Sequence, residues 1–322
     1  MKIAITGGNG FIGRKLVEVL SQQGHTINVL SRRSSRFHSA GIQVVWGDLT
    51  LANCPLEKLI DDCEVVFHIA GELRDEAAMK LLHVDGTQRL LDAVLREAAQ
   101  RGRVIHWVQL SSVGAYGHPH EYLNTERVVY EDTPTRPHGE YEVTKTLSDE
   151  LVMQASARDL MTYSIVRPSK VFGADMPNQS LRSLGAMVRK GLFFYIGRPG
   201  AVATYVHVDD VVEVLRLCGT DHRAKGKIFN VSNDCLLEEM VNGIAAALRV
   251  APPWLRLPES VVRAAVNVTA KIVRVPLSQE QINGLVRRTR YPYLRLEREL
   301  GFTPRIPVPD AIGEVVLTRN TL

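Results

Sequence analysis

The stretch "YEVTK" places Tyr141 and Lys145 four residues apart. If it is helical, both side chains lie on one face, one turn apart. A free tyrosine has a pKa of about 10. A lysine ammonium beside it stabilises the phenolate and lowers the pKa of the phenol. Such a pair can pass a proton to or from a carbonyl oxygen, and the ammonium can also hold cofactor ribose hydroxyls. We predict that Tyr141 is an acid–base group and that Lys145 tunes it.

A third group must hold the reacting oxygen, and the stretch "LSSVGAYG" offers a serine for it. The stretch follows a predicted strand, at the carboxyl edge where doubly wound sheets bind ligands. Ser112 can donate a hydrogen bond to a substrate carbonyl there, and Ser111 is the competing choice. Ser112, Tyr141 and Lys145 together predict an oxidoreductase site for a keto or hydroxyl group, without a metal ion.

The stretch "TGGNGFIG" (6–13) predicts a dinucleotide-binding loop, because it follows the first predicted strand and opens the first predicted helix. Gly7, Gly10 and Gly13 are spaced three apart. The first permits a tight turn, the second lets the backbone approach a pyrophosphate, and the third lets helix and strand pack closely. The N–H groups of the helix then point at the phosphates.

The end of the second predicted strand bears on the choice of cofactor. A site for NAD carries an acidic residue there, which accepts from the free 2′-hydroxyl. This chain has Ser31 followed by Arg32 and Arg33, and a guanidinium fits a 2′-phosphate. We therefore predict NADP, with NAD as the alternative. Asp48, in "GDL", either accepts from the adenine amino group or caps a turn.

Short apolar runs alternate with amphipathic helical patterns through the first half of the chain. Strands are predicted over 2–6, 26–31, 42–47, 64–70, 104–112 and 162–168, and helices over 11–24, within 76–101 and over 140–157. This alternation predicts an α/β fold, a doubly wound parallel (Rossmann) sheet. After Pro168, short helices and turns predict a smaller, mostly helical lobe, with residues 205–218 and a strand at 226–232 returning to the main sheet. We assign residues 1–170 and 202–232 to the dinucleotide-binding domain and 171–201 and 233–322 to a substrate-binding lobe.

The charge is uneven along the chain. The net charge of +4 is too small to indicate nucleic acid, but residues 249–298 hold ten basic and three acidic side chains. This segment is either a solvated helical surface or a wall facing an anionic substrate or membrane headgroups. Within it, the apolar stretch 252–275 is more typical of a packed helix than of a membrane-surface helix. Four cysteines without CxxC spacing indicate reduced thiols, and we expect a cytoplasmic protein.

The order of motifs resembles the extended short-chain dehydrogenases/reductases, the NAD(P)-dependent epimerase/dehydratase family, which includes nucleotide-sugar epimerases and reductases and 3β-hydroxysteroid-dehydrogenase-like enzymes. The motifs, along the whole chain, are "TGGNGFIG", "GDL", "HIAG", "HVDGT", "SSVGAYG", "YEVTK", "RPSKVFG", "YVHVDDVV" and "RELGFTPRI". The resemblance implies that Ser112, Tyr141 and Lys145 are catalytic. The residues it implies for cofactor binding are Gly7, Gly10, Phe11, Ile12, Gly13, Asp48, Leu49, Ala70, Gly71, Tyr141 and Lys145. It also implies a homodimer that pairs the helices within 76–101 and 140–157.

Two motifs depart from the family pattern. Val113 and Gly114 stand where dehydratases of the family carry an Asp–Glu pair. Neither can transfer a proton, so we exclude a 4,6-dehydratase. His83 stands where the asparagine of "NVxGT" is usual, and we interpret it as a helix-surface histidine without a role.

The substrate is the least determined part of the prediction. Ala203 and Thr204 stand where nucleotide-sugar members often have an arginine that grips the pyrophosphate, so Arg287, Arg288 or Arg290 would have to supply that charge. We predict a 4-keto reductase or 4-epimerase of a nucleotide-linked sugar. The alternative is a dehydrogenase or reductase of an apolar, steroid-like or lipid-like substrate, and a third reading is a non-enzymatic NADP-binding protein.

Overall fold

The computed structural model describes residues 1–33, 37, 39–118, 125–177, 179–269 and 277–318. The strands are β1 (Lys2–Thr6), β2 (Thr26–Ser31), β3 (Ile42–Trp46), β4 (Val65–His68), β5 (Ile105–Leu110), β6 (Arg127–Val128), β7 (Met161–Pro168), β8 (Lys170–Phe172), β9 (Tyr195–Ile196), β10 (Val202–Ala203), β11 (Tyr205–His207), β12 (Lys227–Val231), β13 (Cys235–Leu236), β14 (Arg256–Leu257) and β15 (Thr289–Arg290).

The α-helices are α1 (Phe11–Gln22), α2 (Leu56–Ile60), α3 (Glu76–Lys80), α4 (Thr87–Arg101), α5 (Glu140–Ser156), α6 (Ser180–Arg189), α7 (Val208–Thr220), α8 (Leu237–Leu248), α9 (Glu259–Thr269), α10 (Gln279–Val286), α11 (Leu294–Leu300), α12 (Val308–Ala311) and α13 (Gly313–Leu317). A π-helix, Leu81–Gly86, joins α3 to α4, and 3₁₀ turns cover Val113–Tyr116 and His222–Ala224. None of the helices in the described part of the chain has the length and apolar character that crossing a bilayer requires.

Seven parallel strands form the central sheet, in the order β12–β7–β5–β4–β1–β2–β3. The inner strands β4 and β5 are buried along their whole length, as expected of a parallel sheet covered on both faces. In the register of β1, Ile3 lies opposite Ile27 on one side and Val65 on the other. The strand order reverses at β1, so a crevice opens at the carboxyl edge of the sheet, where such folds bind ligands.

Helices cover both faces of the sheet. On one face α1 and α7 pack through Leu16 and Leu215, and on the other α4 and α5 pack through Leu90 and Val152. Fully burying a side chain of this kind stabilises the fold by about 1.5–3 kcal/mol, so the apolar stripes in the sequence determine which face each helix turns inward. The predicted doubly wound α/β fold is confirmed.

Most of the helices after β8 form a smaller, mostly helical part that also agrees with the prediction. Helices α6, α8 and α13 share an apolar cluster that includes Leu181, Ile244 and Val315. Helices α9 and α10 share another through Val262 and Ile282. Helix α9 thus packs a face inward, as predicted for the first part of the stretch 252–275, whose residues 270–275 lie outside the described residues.

Two segments differ from the predicted organisation. Strand β11 pairs with β8 in a separate two-stranded sheet and does not join the main sheet, although α7 after it does pack there. Helix α11, which the sequence assigned to the lobe, packs on the main sheet through Leu296 and Leu300. An ion pair between Lys227 of β12 and Glu299 also holds it there. The division of the chain into two domains stays a prediction.

Candidate active site

A cavity of about 1010 Å³ opens at the carboxyl edge of the central sheet. That volume is at the upper end of the range of ~300–1,000 Å³ for small-molecule and cofactor sites. The predicted site residues that line it are Gly7, Gly10, Phe11, Ile12, Gly13, Arg32, Arg33, Asp48, Leu49, Ala70, Gly71, Ser112, Tyr141, Lys145 and Arg287. The structure thus brings all of the predicted cofactor and catalytic residues to one place.

The glycine loop leaves no room for side chains where it meets its neighbours. Gly7 has a φ of +73°, and a Cβ there would lie 2.6 Å from the backbone nitrogen of Ala70. A Cβ on Gly13 would lie 2.2 Å from the carbonyl oxygen of Gly7, so the first turn of α1 rests directly on the loop. The N–H of Gly10 donates to the carbonyl of Gly7 at 3.0 Å and closes the turn. This arrangement fits the phosphates of a dinucleotide at a helix N-terminus.

The loop after β2 presents a cation to the same cavity. The Arg32 side chain is 61% exposed, with Nη1 3.9 Å from Oδ2 of Asp48. The other carboxylate oxygen of Asp48 accepts from N and Oγ1 of Thr50 at 2.9 and 2.8 Å, which is the turn-capping alternative of the sequence analysis. Ser31 Oγ donates to the carbonyl of Arg33 at 2.7 Å and closes the turn formed by residues 31–33.

The two candidate serines at the end of β5 have different partners. The buried Ser111 donates its hydroxyl hydrogen to Oδ2 of Asp149 at 2.7 Å, and Asp149 pairs with Arg167 at 3.0 Å. Ser112 begins the 3₁₀ turn, where its Oγ accepts from the N–H of Gly114 at 3.0 Å. Because that bond uses only a lone pair, the Ser112 O–H remains available to a substrate. The geometry therefore favours Ser112 over Ser111.

Tyr141 and Lys145 lie in the first two turns of α5, and both line the cavity. Burial raises the pKa of Tyr141 to about 12, and the carboxylates of Asp149 and Glu142 add to the rise. Burial lowers the pKa of Lys145 to about 8, against the opposing effect of Asp149. The lowered phenol pKa that the sequence predicted is not found, because desolvation and two carboxylates raise the pKa of Tyr141.

His83 is not on a helix surface, as its sequence context suggested, but only 1% exposed. Its Nε2 accepts from the N–H of Glu72 at 2.9 Å, so the neutral ring carries its proton on Nδ1, 2.8 Å from Oγ1 of Thr144. Burial and the charge of Lys145 lower the pKa of His83 to about 3. The ring meets that of Tyr141 edge to face, with centroids 5.6 Å apart, so His83 supports the position of Tyr141. A π-helix, as here, often marks a functional site, but the sequence carried no clear signal of it.

The three predicted substrate arginines separate in the structure. Arg287 lines the cavity. The Arg288 guanidinium donates to the carbonyls of Arg198, Pro199 and Gly200 at 3.1, 2.6 and 3.2 Å, so it is committed to a loop. Arg290 is exposed in β15 and is not among the residues that line the cavity. A substrate role for Arg288 and Arg290 is therefore not supported.

Comparisons with known proteins agree with the fold and identify the family. The model of the NAD dependent epimerase/dehydratase family matches residues 3–232. The chain is 25% identical to a 4-hydroxy-2-methyl-3-oxo-4-farnesyl-3,4-dihydroquinoline-1-oxide ketoreductase of Stigmatella aurantiaca, over 95% of this chain and 93% of that protein. It is 26% identical to the UDP-glucose 4-epimerase of Mycolicibacterium smegmatis, over 98% and 97%. Some other curated relatives are longer, and the chain spans 61% of one and 60% of another.

Among solved structures, the UDP-glucuronic acid 4-epimerase from Bacillus cereus in complex with NAD has a TM-score of 0.74 at 17% identity, over 99% of this chain and 98% of that one. At that identity the likeness shows the fold alone. The family match covers well over half of the chain and agrees with the glycine loop and the parallel sheet. The chain therefore belongs to the NAD dependent epimerase/dehydratase family, the extended short-chain dehydrogenases/reductases, whose members are enzymes that use a nicotinamide dinucleotide.

Proposed function

We propose that the protein is an oxidoreductase that interconverts a ketone and a secondary alcohol, with NADP as its preferred cofactor. The observation that carries the proposal is that Ser112, Tyr141 and Lys145 line the same cavity as the glycine loop. They supply what the reaction needs at the substrate oxygen, namely a hydrogen-bond donor, a proton donor and a cation. Val113 and Gly114, which follow Ser112, offer no group for elimination of water.

The nicotinamide dinucleotide supplies or accepts the hydride when it is bound. The O–H of Ser112 donates to the substrate oxygen. The phenol of Tyr141 is protonated at neutral pH, since burial raises its pKa to about 12, and it gives this proton to the oxygen in the reductive direction. The ammonium of Lys145, one turn further along α5, stabilises the phenolate that remains. Because the pKa of Lys145 is about 8, most Lys145 side chains are charged at pH 7.

The cofactor preference is part of the proposal. The glycine loop and the first turn of α1 hold the phosphates, and Arg32 meets the 2′-phosphate of NADP. A guanidinium, unlike a carboxylate, has no acceptor for the free 2′-hydroxyl of NAD.

Two substrate classes have support. A nucleotide-linked sugar, as substrate of a 4-keto reductase or 4-epimerase, is favoured by the relative that acts on UDP-glucose and by the cation of Arg287. An apolar ketone is favoured by the ketoreductase of a farnesylated quinoline. Val171, Met176 and Pro177 supply an apolar wall to the cavity that suits this second class.

Turnover assays test the proposal. Purified protein with NADPH is given a UDP-4-keto sugar and, separately, a long-chain 3-keto ester, and NADPH consumption is followed. Conversion of UDP-glucose to UDP-galactose with NAD separates an epimerase from a reductase. We expect reduction of at least one ketone, and loss of that activity in Tyr141→Phe. If the folded, cofactor-binding protein turns over none of these substrates, the proposed function is wrong.

A further inference from the structure

Beyond the catalytic residues, four polar side chains from distant parts of the chain line the same cavity. They are His118, Lys170, Arg287 and Tyr291. Backbone hydrogen bonds bring their segments together. The N–H of Lys170 donates to the carbonyl of Thr204 at 3.3 Å, and two residues earlier the N–H of Val202 donates to the carbonyl of Arg287 at 2.7 Å.

His118 is attached to the same region through β6. The guanidinium of Arg127 donates to the carbonyl of Gly117 at 2.8 Å, and the backbone N–H of Arg127 donates to the carbonyl of Arg288 at 3.3 Å. Residues 117–118 and 287–288 are therefore neighbours, and the four side chains belong to one part of the cavity wall. We call these four residues the cationic cluster.

Two buried side-chain atoms of the cationic cluster have no hydrogen-bond partner within the described part of the chain. Nδ1 of His118 and the hydroxyl of Tyr291 are buried without a hydrogen bond, and Tyr291 is only 1% exposed. The ammonium of Lys170 lies over the ring of Tyr205, 5.4 Å from its centroid, and makes no ion pair with a described residue. The same is true of Arg287. Buried polar groups are normally satisfied, so the two unsatisfied atoms of His118 and Tyr291 point to a ligand. The cations of Lys170, which is exposed, and of Arg287, which is half-buried, open to the cavity beside them.

The charges of the cationic cluster indicate the sign of that ligand. Burial and then the charge of Arg287 lower the pKa values of both His118 and Lys170, so the cations oppose one another. Glu142 and Glu280 are the carboxylates that face Arg287, and neither forms an ion pair with it. An anion bound between the two cations would relieve their repulsion and give the buried atoms of His118 and Tyr291 a partner.

We propose that the cationic cluster is a subsite for one anionic group of the substrate, a carboxylate or a phosphate. The inference rests on the proposed function and adds a substrate class to it, a keto or hydroxy compound that carries an oxyanion. The guanidinium of Arg287 binds two oxygens of the group in a planar fork, and Lys170 adds a point charge. The hydroxyl of Tyr291 and the ring N–H of His118 complete its hydrogen bonds.

The test measures binding and does not depend on turnover. With the NADP site saturated, titration calorimetry compares two anionic probes, UDP and 3-hydroxydecanoate, with their neutral counterparts, uridine and methyl 3-hydroxydecanoate. We expect wild-type protein to bind one anionic probe at least tenfold more tightly than its counterpart. Lys170→Met and Arg287→Met should each weaken that binding at least tenfold without changing NADP affinity. Lys190→Met and Arg189→Met, exposed at the end of α6, are matched controls that should change neither.

The outcomes separate the two proposals. Preference for UDP identifies a phosphate as the occupant, and preference for 3-hydroxydecanoate identifies a carboxylate. If the wild type does not prefer either anion, or if the two cluster variants bind like the controls, the subsite does not exist, even where a ketone is reduced. If an anion binds as expected but no ketone is turned over, the subsite stands and the proposed function fails. The wild-type comparison decides even where a variant does not fold.

Discussion

At the level of single residues, burial acts on Tyr141 and Lys145 in opposite directions. Desolvation disfavours the charged form of each group, so it raises the pKa of the phenol and lowers that of the ammonium. The tyrosine is thereby kept as a proton donor, and the lysine carries a charge that the fold does not favour. The carboxylate of Asp149 only partly offsets this cost, so under the proposed function the phenolate of Tyr141 and a cofactor hydroxyl would stabilise the charge further.

Replacing Tyr141 by phenylalanine removes only the hydroxyl. Because a positioned proton donor contributes about 10²–10⁴-fold to rate, we expect kcat to fall by that factor while NADP affinity and thermal stability stay close to wild type. Steady-state kinetics with the ketone identified in the turnover assay measures this. Tyr130→Phe, at an exposed tyrosine, is the matched control. Near-normal kcat in the Tyr141 variant would remove the assigned role.

Lys145→Met tests the cost of the buried ammonium. Its pKa falls from 10.5 to about 8 on folding, so between those values the unfolded chain binds a proton that the folded chain lacks. Its contribution to stability therefore rises with pH across this window and is lowest below pH 8. We expect the variant without cofactor to be more stable than wild type at pH 7, by about 1–3 kcal/mol, with a smaller gain at pH 9.5.

Thermal unfolding at both pH values measures this, and saturating NADP should reverse the order because the variant loses a cofactor contact. A variant that is less stable than wild type at pH 7 without cofactor would show that the ammonium is not destabilising.

Arg32 is expected to determine the cofactor preference. Its guanidinium is exposed at the cavity edge with only a long contact to Asp48, so a 2′-phosphate can replace that contact at little cost. We expect wild type to bind NADP at least tenfold more tightly than NAD, about 1.4 kcal/mol, and Arg32→Ala to abolish the difference. Calorimetry with both nucleotides measures it, and Arg96→Ala, at an exposed position of α4, is the control. Equal or tighter NAD binding by wild type would contradict the NADP preference and favour a 4-epimerase over a reductase.

At the level of elements, the two glycines Gly13 and Gly10 of the loop are required for different reasons. Gly13 allows close packing and Gly10 leaves room for the phosphates, and one variant of each separates the two roles. Gly13→Ala places a Cβ 2.2 Å from a backbone oxygen, whereas a Cβ on Gly10 would lie 3.2 Å from the same oxygen and meets no other atom of the described residues within 4 Å. We therefore expect Gly13→Ala to lower both the melting temperature and NADP affinity. Gly10→Ala should leave the melting temperature nearly unchanged and reduce NADP affinity, since its Cβ enters the phosphate site. Differential scanning calorimetry and NADP titration test the contrast, which similar losses of stability in both variants would contradict.

The sequence predicts elements well where the signal is local. The strands of the central sheet lie within about two residues of their predicted bounds, because each is a short apolar run between turns. The glycine loop and the Tyr141–Lys145 spacing are also local. His83 could not be placed from its own segment, because its burial depends on Thr144, 61 residues away.

The sequence also could not predict which residues lie together on the substrate side of the cavity. Lys170 and Arg287 are brought together through β11 and the segment before it, and nothing in the sequence near either residue shows that pairing. Arg288 and Arg287 are adjacent and of one type, yet Arg288 is bound to loop carbonyls and Arg287 faces the cavity. The path of the backbone gives the two arginines different surroundings, and the amino-acid composition of the segment cannot show this.

At the level of the whole molecule, the packing around α5 joins the catalytic site to the outer surface. The inner face of α5 carries Lys145 and Asp149, which are buried, and its outer face carries Leu147, 41% exposed. Leu81, on the neighbouring π-helix, is 47% exposed. Both leucines lie in the segments that the family resemblance pairs in a homodimer, so we expect a second copy of the chain to cover them.

A homodimer is the remaining prediction, and the structure offers a way to test it. In a two-fold dimer the same leucine is buried in both copies of the chain. Burial stabilises the dimer by about 1.5–3 kcal/mol for each side chain. A charge at the centre of such a contact should therefore dissociate it.

We expect a dimer at micromolar concentration by light scattering, and a monomer for Leu147→Glu and Leu81→Glu. Leu192→Glu, at a leucine 61% exposed on the C-terminal part, should stay dimeric. A monomeric wild type, or a dimeric Leu147→Glu protein, would show that α5 does not form the interface. Because Tyr141 and Lys145 lie on the same helix as Leu147, monomers should also lose part of their kcat if the contact holds α5 in place.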